Sequence, residues 1–157
     1  METLIVDKNL SKAEKYEVLL PQLQALLNGE TDMIANMANV SAALHEVFQF
    51  FWTGFYIVRN DVLVVGPFQG PIACSRIAYG HGVCGAAWAQ AETIIVPNVD
   101  EFPNHIACSS LSKSEIVVPV FNQGKVIAVL DADSEQLNTF DETDAFYLKK
   151  IVELLLA

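Results

Sequence analysis

The sequence predicts an α+β fold, an antiparallel β-sheet with helices packed on it. Up to Phe48, apolar side chains recur at three- and four-residue steps, the spacing of helix faces. From Trp52 the chain turns to short β-branched and aromatic runs separated by turn residues, the mark of hairpins. Asp141 to Leu156 then closes it as an amphipathic helix. No linker, repeat or low-complexity tract interrupts residues 1–157, which read as one globular domain.

Ser11 with Glu14 three residues on is a capping box, and Leu19, Leu20, Leu23, Leu26 and Leu27 form an apolar face ending at Asn28-Gly29. Pro21 inside that run is expected to kink or split the helix. Thr31 is expected to cap a second helix carrying Ile34, Met37, Val40, Leu44, Val47 and Phe48. His45 on that helix reads as a solvated or satisfied side chain.

Gly54–Val58 and Val62–Phe68 read as strands joined at Asn60-Asp61. Ile72–Ala78 reads as a third strand carrying Cys74, and Val83–Gln90 as a short helix carrying Cys84 and Trp88. Thr93–Val96 is a further strand, stopped by Pro97-Asn98. Asn98 to Lys113 lacks clean periodicity and holds Cys108; irregular segments of that length are usually functional loops or disordered. Glu115–Phe121 and Lys125–Leu130 flank Asn122-Gln123-Gly124 as a second hairpin, giving about six strands in all.

Composition excludes several classes of function. The net charge is −10, and Arg59 and Arg76 are the only arginines. Such a chain has no basic stripe for nucleic acid or anionic lipid. No apolar stretch reaches the roughly 18 residues of a membrane span. Met1-Glu2-Thr3-Leu4 lacks the basic and apolar segments of a leader, so a cytoplasmic location is expected. In that reducing compartment a disulfide is more often catalytic than structural.

Cys74, Cys84 and Cys108 are the first chemical signal. They form no Cys-x-x-Cys pair. A zinc site would have to join them with His105 or His81 without the usual ligand pairs, so no metal is expected. Three buried thiols acting as small hydrophobes would be the bland alternative. Against it, Cys74 and Cys108 stand beside polar residues, Ser75-Arg76 and Ser109-Ser110. A reactive thiol needs electropositive or hydrogen-bonding neighbours, for which Arg76, His105, Lys113 and loop amides are available.

Glu115, Asp131 and Asp133 are the second. Asp131 and Asp133 are two apart on one strand and share a face. A three-residue hairpin loop puts Glu115 opposite Asp131 on that same face, whereas a two- or four-residue loop puts it opposite Ala132 on the other; a bulge at Pro119 would alter the count. Three crowded carboxyls would raise at least one pKa and favour a bound cation such as an ammonium. Strand-end acids facing water are the alternative. Trp52 and Tyr56, four apart on the first strand, share a face and either line a pocket or pack in the core.

Taken together, Trp52-x-Gly-Phe-Tyr56, Gly66-Pro-Phe-Gln-Gly70, Gly82-Val-Cys-Gly85, Val96-Pro-Asn-Val99, Pro119-Val120 and Leu130-Asp-Ala-Asp-Ser134 resemble the free methionine-(R)-sulfoxide reductases over essentially the whole chain. The resemblance implies a GAF-type fold. It also implies Cys108 as the nucleophile that becomes a sulfenic acid, with Cys74 resolving it as a disulfide that thioredoxin reduces. Cys84 would be an alternative resolving or auxiliary thiol. Glu115, Asp131 and Asp133 would hold the substrate ammonium and act on the sulfoxide oxygen, and Trp52 and Tyr56 would cradle the terminal methyl. A homodimer and no bound cofactor are implied as well. The competing expectation is a non-catalytic GAF module that binds a small ligand or senses redox state.

Overall fold

In the computed structural model, which describes residues 3–157, the helices begin where side chains can cap them. Met1 and Glu2, the start of the stretch read as leaderless, lie outside the described residues. Helix α1 spans Lys12–Leu27 with the Ser11–Glu14 capping box in place. Pro21 neither ends nor divides it, contrary to expectation: Leu19 and Leu23, one on each side of the proline, are both fully buried and hold the helix through it. Helix α2 spans Met33–Phe48. Its cap is Asp32 rather than Thr31, because the Asp32 carboxylate accepts from the N–H groups of Ile34 and Ala35 at 2.8 and 3.2 Å.

The strands are β1 (Trp52–Arg59), β2 (Val62–Gln69), β3 (Arg76–Ala78), β4 (Ile94–Val96), β5 (Ser114–Asn122) and β6 (Lys125–Ser134). They form one antiparallel sheet in the order β3-β2-β1-β6-β5-β4. Asn60 and Asp61 both have positive φ, the backbone of a turn matched to strand twist. Strand β3 is shorter than expected and excludes Cys74. A bulge at Gly66-Pro67 bends β2 where it passes Phe55, and β3 pairs only with Val62–Val64, short of that bulge.

Helices α1, α2 and α4 (Glu142–Glu153) cover one face of the sheet over a core that includes Phe55, Ile57, Ile116, Val118, Leu130 and Ala132. Tyr16 and Lys12 of α1 clamp α4 through the buried Asp144, with a Tyr16 Oη–Oδ1 distance of 2.7 Å and a Lys12 Nζ–Oδ2 distance of 2.6 Å. Helix α3 (Gly82–Gln90) lies on the other face with Trp52, Tyr56, Val117 and Val129. The alternation of β1, β5 and β6 thus divides two apolar layers, and the second is where acids replace hydrophobes. Among the described residues no helix is long and apolar enough to cross a membrane.

Candidate active site

The second hairpin decides where the acids go. Asn122 pairs with Lys125, so the turn is the two residues Gln123 and Gly124 rather than three. By parity alone this would send Glu115 to the helix-covered face. A bulge restores it: Val120 pairs with Ala128 and Phe121 with Val126, leaving Ile127 as an extra residue on β6. The bulge sits one residue from the expected Pro119 and on the partner strand. Val126 accordingly falls in the α3-side layer while Ala128 faces the helices. Glu115 therefore lies opposite Asp133, not Asp131, and Val117 opposite Asp131. The face-sharing of the three acids stands.

Strand β1 completes the floor. Trp52 pairs with Asp133 and Gly54 with Asp131. Gly54 has no room for a side chain, since a Cβ there would stand 2.2 Å from the Cβ of Phe68. Trp52 stacks on Tyr56 at 5.8 Å and on Phe68 at 5.1 Å between ring centroids. Together with Cys84 of α3 and the loops that carry Ala73 and Ile106, these residues line a cavity of about 50 Å³, room for a small, tightly held ligand.

Cys74 and Cys108 are joined by a disulfide, with Cα atoms 5.5 Å apart. The bond ties the loop preceding β3 to the irregular segment preceding β5, and Cys108 lines the cavity with the three acids. That segment is irregular as expected, with one 3-10 turn at Val99–Glu101. The Tyr56 hydroxyl donates to the carbonyl of Cys74 at 2.9 Å, so one ring both walls the cavity and fixes the cysteine loop.

Electrostatics set the protonation. Glu115 and Asp131 are each 6% exposed, and Asp133 is half-buried. Burial pushes all three carboxyls well above the ordinary range, and mutual repulsion adds to it: Asp133 acts on Glu115, Glu115 on Asp131 and Asp131 on Asp133. Two unit charges 4 Å apart at an effective dielectric of 20 repel by about 4 kcal/mol, so such a cluster keeps protons near neutral pH. Burial likewise raises the Cys84 thiol, reinforced by the neighbouring Asp131 carboxyl. A buried, protonated thiol is a poor nucleophile, which sets Cys84 apart from the other two.

Two polar atoms of the cavity lining are buried without a partner, Trp52 Nε1 and Asp131 Oδ1. A donor and an acceptor left open in an apolar surround are costly unless a ligand completes them.

The GAF domain family matches residues 30–155. GAF domain-containing protein A of Dictyostelium discoideum is 61% identical over 155 residues, covering 98% of each chain. The free methionine-R-sulfoxide reductase of Escherichia coli is 43% identical over 147 residues, covering 93% of this chain and 89% of its own. A solved structure of free methionine-R-sulfoxide reductase from Neisseria meningitidis in complex with its substrate is 54% identical, with a TM-score of 0.96, covering 99% of this chain and 93% of its own. The chain belongs to the GAF-domain family of free methionine-R-sulfoxide reductases.

In this member of the family, two residues near the acids lacked any legible signal of their position. Ser112 donates to Asp133 Oδ1 at 2.8 Å from just before β5. His105, read from sequence as an available neighbour for a thiol, lines the cavity with Cys84 and Cys108 and sets Nε2 3.4 Å from Glu115 Oε2. Burial lowers the His105 pKa and raises that of Glu115, and both shifts work against an ion pair at this contact. Both residues sit in the aperiodic segment, where spacing carries no information about facing.

Proposed function

We propose that the chain reduces free methionine-(R)-sulfoxide to methionine, and the observation that carries the reading is the Cys74–Cys108 disulfide at a cavity floored by three proton-holding carboxyls. The Cys108 thiolate attacks the sulfoxide sulfur while a cluster carboxyl protonates its oxygen. The net step moves that oxygen to Cys108, which is oxidised by two electrons to a sulfenic acid as methionine leaves. Cys74 then attacks the Cys108 sulfur: the S–S bond forms, the S–O bond breaks, and the oxygen departs as water. Thioredoxin's dithiol returns both thiols to the reduced form.

The remaining groups suit a free amino acid. The acids not donating a proton hold the α-ammonium, and the Trp52–Tyr56 wall takes the methyl and thioether. A peptide-bound sulfoxide has no free ammonium or carboxylate to offer this cage. The same reading carries a cytoplasmic homodimer acting against oxidative damage, with no bound cofactor.

The test is thioredoxin-coupled NADPH oxidation with the free R-epimer, the free S-epimer and a sulfoxide-containing peptide. The reading expects turnover on the first and little on the others. No turnover on the free R-epimer would leave the chain a ligand-binding or redox-sensing GAF module.

A further inference from the structure

Cys84 has no task in that reaction, and what surrounds it is a ligand set. Its Sγ, a carboxylate oxygen of Glu115 and one of Asp131 lie within 4.8 Å of one another, all three residues buried. A cluster alone would mean little. Here, Asp131 Oδ1 is buried with no hydrogen-bond partner, and its residue, 6% exposed, lines the cavity. His105 brings a fourth donor, its Nε2 3.4 Å from Glu115 Oε2.

We propose that Cys84, Glu115 and Asp131, completed by His105, bind one zinc-class divalent cation, which competes with substrate for the cavity floor. One sulfur, two oxygens and one nitrogen suit zinc; magnesium and calcium take oxygen sets. Tetrahedral zinc holds sulfur at about 2.3 Å and oxygen at about 2.0 Å, which sets ligand atoms about 3.5 Å apart. The three-donor set needs to close by roughly an ångström to meet that geometry, and His105, which stands outside the set beside Glu115, has to move in with its loop. Three of the donors stand on α3, β5 and β6, a rigid frame, while His105 comes from the loop segment. When the thiol and both carboxyls release their three protons to solvent, the cation's two positive charges replace them, leaving the site with one net negative charge in place of three like charges in repulsion. The metal site stands without the reductase reading; the competition rests on it.

The test uses the protein with its Cys74–Cys108 disulfide intact, so that neither of those thiols can bind metal. Cobalt(II) added to this form should give one equivalent of a tetrahedral species with thiolate-to-cobalt charge-transfer absorption, displaced by zinc. Cys84→Ser should abolish the band, and Glu115→Gln, which keeps the thiol, should weaken binding at least 10-fold. Absence of the band in the wild-type protein, or its survival in Cys84→Ser, overturns the site. Should Cys84→Ser fail to fold, undiminished binding in Glu115→Gln overturns it instead. Free methionine sulfoxide should raise the apparent Kd for cobalt in proportion to its concentration; unchanged affinity in a protein that turns over this substrate overturns the competition. Cobalt binding in a protein inactive on the sulfoxide would count against the reductase reading alone.

Discussion

Glu115 lies directly across the β5–β6 ladder from Asp133, held there by a single extra residue, Ile127. Without that bulge the two-residue turn would put Glu115 on the helix-covered face, where Ile116 and Val118 now pack. The bulge thus gathers three carboxyls into one cavity, and their shared protons are the chemical resource of the site.

Removing one acid should cost activity and not fold. Glu115→Gln and Asp133→Asn keep shape while removing acidity, and each should lower kcat/KM by at least ~10²-fold, within the range of acid–base groups. Circular dichroism and thermal melting should show a folded protein. Near-wild-type rates in both folded variants would remove the cluster from the chemistry.

The same raised carboxyls govern stability against pH. A carboxyl whose folded pKa lies above its unfolded value binds more protons in the native state, so stability falls as pH rises. The loss begins near the unfolded values, 4.5 for Glu115 and 3.8 for Asp131, and continues until the native groups ionise. Glu115→Gln should therefore melt higher than wild type at alkaline pH, with the gap closing toward pH 4. A gap that widens on acidification would contradict the direction of the shift.

Much of this arrangement was legible in the sequence, and what was not has physical reasons. The Ser11 box and the Asn60-Asp61 turn were readable because each is fixed by local chemistry, a capping side chain and two positive-φ residues. That Trp52 shares a face with Tyr56, and Asp131 with Asp133, followed from the two-residue period; that the two pairs share one face comes from the pairing of β1 with β6, which the period does not give. The partner of Glu115 did not, because nothing in Val126-Ile127-Ala128 marks a bulge. The run Ile72–Ala78 suggests a strand through Cys74 only by Ile72 and Ile77; the bulge at Gly66-Pro67 lies on a neighbouring strand and cannot be read from that run. Ser112 and His105 reach the acids through tertiary folding of an aperiodic loop.

Tyr56 should act on the second step as well as the first. Its hydroxyl holds the Cys74 carbonyl, and one such hydrogen bond contributes about 1 kcal/mol, or roughly fivefold in a rate. Tyr56→Phe keeps the aromatic wall, so methionine formation in a single turnover should be little changed. The Cys108 sulfenic acid should persist about fivefold longer before the disulfide forms, as read by a dimedone-type trap. An unaltered lifetime would show that the hydrogen bond does not position the loop.

Cys74→Ser should reduce about one equivalent of free methionine sulfoxide and then stall, leaving a trappable sulfenic acid on Cys108. Sustained thioredoxin-dependent turnover would move the resolving role to Cys84, against the burial that keeps the Cys84 thiol protonated.

The most direct test of the account is single-turnover methionine formation by the reduced protein, without any reductant, in wild type and Cys108→Ser. Only a thiolate at that position can take the sulfoxide oxygen in this scheme. Wild type should release close to one methionine per chain from the free R-epimer, and Cys108→Ser none. Methionine released by Cys108→Ser at a rate near that of wild type would contradict the account at its centre.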